Sequence, residues 1–343
     1  MKQMIRRLFT LTMMACLVLQ AQAQPSASYY NDIQNTSDRD LLFALHGIIS
    51  GHTVVSYDGL LTAYKKTDVR SDGKVWDMYS NVTNFDFGDT GSYHAEGDTY
   101  NREHGFPQSW FNKASPMKSD LFHVVPTDGY VNNRRSSYPL ADVGTVSWSS
   151  KNGFSKLGAC SDAGYSGIVF EPNDEYKGDF ARAYFYMATR YADKINSWTN
   201  NGSAGTILSG SGYQAYKPWY IAVLLRWHRN DPVCQKEIDR NNAVESYQHN
   251  RNPFIDYPYL AEFFWGEKKD QELNFDNLVS AYDPDFEDHP NGWNEGGHTD
   301  INAIYAQPMD EPCLECGKKV MIDGEIYIRQ GEHLYNTMGV EVK

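Results

Sequence analysis

No stretch of this 343-residue chain approaches the roughly 20 consecutive apolar residues of a membrane-spanning helix. Cysteine is scarce, with five in the chain, and Cys16 falls in the apolar run near the start. The other four, Cys160, Cys234, Cys313 and Cys316, permit two disulfides in an oxidising compartment, with three connectivities. Cys313 and Cys316 form a C-x-x-C without a second half at zinc-site spacing and without a βαβ context. A plain disulfide is therefore expected there rather than a redox pair or a zinc knuckle. There is no H-E-x-x-H and no clustered His/Cys set, which argues against a zinc hydrolase. Asp283, Asp285, Glu287 and Asp288 miss the EF-hand spacing and are interrupted by Pro284, so they read as solvated linker. Basic residues are outnumbered, 31 against 44 acidic, and no base-reading motif is evident.

What is present begins with an address. Lys2, Arg6 and Arg7 precede the apolar run Leu8–Leu19, and "AQA" ends at Ala23. That is a charged segment, a short apolar segment and a small-residue cleavage site, the pattern of a secretory signal peptide. Residues 1–23 therefore read as a leader and the mature protein as soluble and exported. Removing them takes away three basic residues and no acidic one, so the net charge of −13 becomes −16. Most of the acid lies beyond Gly266, where residues 267–343 hold 17 acidic and 6 basic side chains. The spacing predicts a globular domain over 24–266, an acidic linker over 267–311 and a β-hairpin over 312–343, turning at Asp323-Gly324.

Within the domain, 38–66 predicts two short helices around Gly51-His52-Thr53. The stretch "KVWDMYSNVTNFDFGD" is aromatic and strand-like. Residues 179–195 and 220–230 carry apolar side chains at helical spacing, the second stopping at Asp231-Pro232. Residues 199–213 form a Gly/Ser/Asn loop, and 233–249 a highly polar helix.

One ordered set carries chemistry. "YNREHGFPQSWF", 100–111, places Glu103 beside His104. "LFHVV" follows as a second strand stopped by Pro126. Thr127 or Asp128 then caps a short helix on which Asn132, Arg135 and Ser136 share a face. Glu103 and the Asn132 amide oxygen suit a hard Mg²⁺ ion, which wants oxygen ligands and keeps sites for water and phosphate. A neutral imidazole can take a proton from attacking water, and Arg135 or Arg134 can clamp phosphate oxygens. Neighbours on a regular strand point to opposite faces, so Glu103 and His104 are not expected to share one metal. Gly105 makes a bend cheap. Taken singly, each residue reads most simply as a surface or structural group.

These segments, with "FEPNDEYKGDFARAYFYMATRY" and "WHRNDPVCQKEIDRNNAVESYQHNRNPFIDYPYL", fall in order over about 40–266. They resemble the bacterial secreted endonuclease I family, nonspecific nucleases of the ββα-metal (His-Me finger) type. The resemblance implies an α+β fold with a ββα-metal core embedded among helices. It implies His104 as general base, Glu103 and Asn132 as metal ligands, with Asn133 as fallback, and Arg135 as the motif's arginine. The metal would be Mg²⁺, with Ca²⁺ or Mn²⁺ as alternatives. The family also uses an arginine near the scissile phosphate, in the loop between the motif strands. Here that loop, "NKASPMKSD", offers only Lys113 and Lys118, so Arg134, Lys118 and Arg251 are the candidate phosphate contacts.

The function expected is secreted, sequence-nonspecific endonucleolytic hydrolysis of DNA and RNA, leaving 5′-phosphate ends, with modest and salt-dependent affinity. The rivals are a ribonuclease or phosphodiesterase on the same fold, and a non-catalytic nucleic-acid capture protein at the cell surface. No protein partner is implied. The terminal hairpin resembles the sorting segments of many exported bacterial proteins, with packing on the nuclease domain as the alternative.

Overall fold

The computed structural model describes residues 25–283 apart from 27, residue 286, and the backbone of four short strands between 318 and 342. The leader, Asp285, Glu287, Asp288, Cys313 and Cys316 lie outside the described residues. Helices and small antiparallel sheets make up the body, an α+β arrangement.

Helices α1 (Asp38–Ser50) and α2 (Leu60–Thr67) flank the Gly51-His52-Thr53 turn, and α1 buries Leu41, Leu45 and Ile49 along one stripe. Helix α4 (Lys177–Arg190) is buried on nearly every side, its Phe180, Tyr184, Phe185 and Met187 forming the middle of the core. Helix α5 (Pro218–Asn230) packs beside it, opened by a proline at its first turn and ended at Asp231.

Two local expectations fail. Residues 74–89 contain no strand. Asp77 accepts from the Tyr79 amide at 2.8 Å and the Thr83 hydroxyl at 2.9 Å, and these side-chain bonds hold the stretch as turns. A three-stranded antiparallel sheet, β3 (Val143–Ser149), β4 (Lys156–Cys160) and β5 (Ile168–Glu171), stands where no strand was expected. β3 has no buried face, and its register slips at two places, so the period-two signal is absent.

The element that positions the candidate site is a two-stranded antiparallel sheet, β1 (Tyr100–His104) and β2 (Val124–Asp128), followed at once by α3 (Gly129–Arg135). β2 starts one residue after His123 and runs through Pro126, which pairs with Arg102, rather than stopping there. A sheet of two strands has only edges, where a missing amide is tolerated.

Helix α6 (Gln235–Gln248) turns its polar side chains inward. Buried Glu237 receives two hydrogen bonds from the buried Arg182 guanidinium, at 2.6 and 2.7 Å. Gln248 reaches Asp120. Helix α7 (Pro253–Asp256) and helix α8 (Leu260–Trp265) close this end.

Gly266 is not a boundary. Leu273 is fully buried, exchanges backbone bonds with Asn35 and Thr36, and Ala281 donates to the Asp256 carbonyl. The apolar Leu273, Leu278 and Val279 anchor this part of the acid-rich segment on the body. Farther on, β6 (Lys318–Ile322), β7 (Glu325–Gln330), β8 (His333–Asn336) and β9 (Glu341–Val342) pair in sequence as an antiparallel meander. The first of these pairings joins the two strands on either side of Asp323-Gly324, where the hairpin was expected. Neither Cys160 nor Cys234 forms a disulfide. Cys160 ends β4, and the Cys234 sulfur caps α6.

Candidate active site

Strand alternation sorts β1 into two faces. Asn101 and Glu103 meet α3, while Arg102 and His104 both meet Tyr57. The helix is set by Asp128, whose Oδ1 accepts from the Val131 amide at 2.8 Å and whose Oδ2 accepts from Gly97 at 2.7 Å. A Cβ at Gly129 would lie 2.6 Å from the Tyr93 ring, so a larger residue there requires that ring to shift. Three residues apart on α3, Asn132 and Arg135 point at β1. Ser136, expected on the same face, lies past the helix end at φ 54° and is exposed.

Glu103 is buried, 2 % exposed. Its Oε1 accepts from the Tyr79 hydroxyl at 2.9 Å and faces Arg135 Nη1 at 2.9 Å. The carboxyl also takes a hydrogen bond from the His104 backbone amide, and no side chain bonds Oε2. Burial raises the carboxyl, against the pull of Arg135 and the Tyr79 hydroxyl. One turn up the helix, Asn132 donates Nδ2 to Asn101 Oδ1 at 2.6 Å, and its own Oδ1 accepts nothing. Two hard oxygens, Glu103 Oε2 and Asn132 Oδ1, are thus presented by neighbouring positions of one strand–helix contact. That donor set fits a small divalent cation that keeps most of its water. Among the described residues no three His, Cys, Asp or Glu side chains gather as a metal cluster.

Arg135 is not at the surface. It is 1 % exposed and donates to the His104 and Gly105 carbonyls at 3.0 and 2.6 Å besides pairing with Glu103. The phosphate clamp expected of it is out of reach here, because a guanidinium three residues after Asn132 is carried under the strand rather than over it. Its geometry makes it a positioning residue that fixes Glu103 and the end of β1.

His104, 4 % exposed, points away from Glu103. Its Nε2 lies 3.0 Å from the Lys118 carbonyl, and a carbonyl only accepts, so Nε2 carries the proton. The neutral ring then has its lone pair on Nδ1, which has no protein partner and is not sealed from solvent. Burial, with His123 adding to it, pushes the imidazole down to about 3. The ring lies among Tyr57, Phe111 and His123.

The turn that supplies the Lys118 carbonyl hangs on Asp120, a residue not singled out from the sequence. Its carboxylate accepts from Tyr186 at 2.9 Å, Tyr191 at 2.7 Å, Gln248 at 3.0 Å and the Phe122 amide at 3.1 Å. Tyr79, which holds Glu103, was missed as well. Both belong to long-range contacts without a local sequence signal. Arg102 did carry one, since strand alternation places it on the His104 face.

The other cations divide by exposure. Arg251 is fully buried and bound to Asp256, Asn242 and Glu245, a brace for the 251–256 corner rather than a phosphate contact. Arg134 is exposed over Tyr130 and Trp148. Lys113 is exposed in the loop, and Lys118 lies half-buried with Nζ 4.4 Å from the centre of the Tyr57 ring.

One strand thus carries a neutral imidazole with an open nitrogen on one face and a buried carboxylate on the other. The profile of the Endonuclease I family matches residues 39–259, most of the body just described, and the chain belongs to that family. It is an endonuclease. It is 36% identical over 256 residues to an extracellular ribonuclease of Bacillus amyloliquefaciens, covering 70% of this chain and 80% of the relative. It is 35% identical over 269 residues to an extracellular ribonuclease of Bacillus subtilis (strain 168), covering 73% and 83%. A periplasmic deoxyribonuclease of Aeromonas hydrophila is 27% identical over 147 residues, 43% of this chain and 49% of the relative. No helix among the described residues is long and apolar enough to cross a membrane.

Proposed function

We propose that the protein is an exported, sequence-nonspecific, metal-dependent endonuclease hydrolysing DNA and RNA, with β1, β2 and α3 as a ββα-metal core. The observation that carries this reading is the fixed tautomer of His104, whose protonated Nε2 is committed to the Lys118 carbonyl while Nδ1 stays open. Such an imidazole is a general base already in its working form. It takes a proton from water, and the water oxygen forms a new bond to phosphorus as the bond to the 3′ oxygen breaks. The products are a 5′-phosphate and a 3′-hydroxyl, the latter protonated from solvent. Glu103 and Asn132 would hold Mg²⁺, or Ca²⁺ or Mn²⁺, which when bound supplies positive charge to the phosphate and the leaving oxygen. Arg135 and Tyr79 keep the Glu103 carboxylate in one orientation. Of the cations expected to contact phosphate, Lys118 and Arg134 are the two not sealed in the interior.

Coverage favours RNA as one substrate: the two relatives matched over most of their length are named ribonucleases. The export reading rests on the leader pattern and on relatives named extracellular or periplasmic. The test is to incubate the mature protein with plasmid, single-stranded DNA and RNA in Mg²⁺ and analyse the ends. Cleavage of all three with 5′-phosphate ends is expected. Ends bearing 3′-phosphate would overturn departure of the 3′ oxygen, and a 2′,3′-cyclic phosphate on RNA would overturn attack by a His104-activated water. Binding without cleavage would leave the capture protein.

A further inference from the structure

The reaction needs a cation at the phosphate, and the arginines at 135 and 251 are locked inside the protein. We infer that Arg102 supplies it, as the guanidinium that grips the scissile phosphate on the His104 side. This rests on the nuclease reading and adds a residue to it. Arg102 and His104 are two apart on β1 and so share a face. Both lie against Tyr57: the guanidinium carbon is 4.2 Å from the ring centre, and the imidazole is stacked at 6.1 Å and 18°. Lys118 Nζ, 4.4 Å from the same ring, adds a second positive charge.

The guanidinium is also under-used. Arg102 Nε is buried without a hydrogen-bond partner. Its ion partner is Asp58 at 3.2 Å, whose side chain is 96% exposed while that of Arg102 is 19% exposed. A pair with one member in open water holds weakly. A phosphate displacing Asp58 meets Nη2, and a small turn of the guanidinium brings the unpartnered Nε on the same edge to it, the bidentate geometry that guanidinium offers to oxyanions. Asp58 is then a resident anion occupying the phosphate's place, and Tyr57 holds the fork beside the base.

This makes opposite predictions for the two members of one ion pair. With a short duplex as substrate and Mg²⁺ saturating, Arg102→Gln raises KM and lowers kcat/KM by about tenfold or more. The slope of log KM against log salt falls by about 0.9 in the same variant, one phosphate contact fewer. Arg102→Lys recovers part of the loss. Asp58→Asn moves the other way, lowering KM, because the competing anion is gone. If both substitutions impair the enzyme equally, the pair is structural and the inference fails. It fails too if Arg102→Gln keeps the wild-type KM and salt slope while His104→Ala is inactive, a result that leaves the nuclease reading standing. A wild type that cleaves nothing overturns both.

Discussion

At the scale of single residues, the informative feature is how unequally Glu103 and His104 are held. Glu103 is gripped through one oxygen by Tyr79 and Arg135, in a site where an uncompensated carboxylate would be costly. Arg135→Met should therefore lower stability by roughly 3–5 kcal/mol in urea unfolding. Adding Glu103→Gln to that variant should restore part of the loss, since it removes the stranded charge. A double variant less stable than Arg135→Met would show that lost packing, not charge, is the cause. Tyr79→Phe should cost about 1.5–3 kcal/mol, one hydrogen bond to a charged group. The sequence made the candidate oxygen and nitrogen donors legible, because their order along the chain is local. It did not show that Arg135 faces inward: spacing on a helix says which residues share a face, not which neighbour lies under it.

At the scale of elements, β1, β2 and α3 are arranged by parts remote in sequence. The turn 117–120 offers its carbonyls to His104 and His123, and Asp120 ties it to α4 and α6. Asp120→Ala should cost about 3 kcal/mol or more, because two buried tyrosine hydroxyls and the Gln248 amide lose their acceptor. It should also lower kcat more than it raises KM, since it loosens the carbonyl that fixes the His104 tautomer. Unchanged kcat in a folded Asp120→Ala variant would contradict that link. The helices over 177–190, 218–230 and 235–248 were readable from periodicity and stop signals. The purpose of the polar helix was not, since its charged face is satisfied by partners such as Arg182, more than fifty residues earlier in the chain. Strands β3 to β5 were illegible for a different reason: none alternates buried with exposed residues, and β3 slips register twice against β4.

At the scale of the molecule, several ionisable groups are kept in one protonation state by the interior. His228 accepts from Arg182 at 3.2 Å and donates to the Pro258 carbonyl at 3.0 Å, and burial, reinforced by Arg182, pushes it down to about 3. The unfolded chain takes up this proton near pH 6.5 while the folded one does so only near 3. His228 thus contributes stability that is fully present above about pH 6.5 and is lost as pH falls toward 3. Between pH 7 and 5 the wild type should lose about 1–2 kcal/mol more than His228→Gln, whose amide can donate and accept in the same places. Equal losses would mean that the ring is charged in the fold. The net charge of −13 makes binding to a polyanion depend on local cations rather than on the overall field. We propose that a polar site around His104 hydrolyses nucleic acid with the help of a divalent ion. The decisive measurement is plasmid degradation by the mature protein in Mg²⁺, in EDTA, and as His104→Ala in Mg²⁺. Cleavage in the first condition only is predicted. Cleavage that survives both EDTA and the substitution would contradict it.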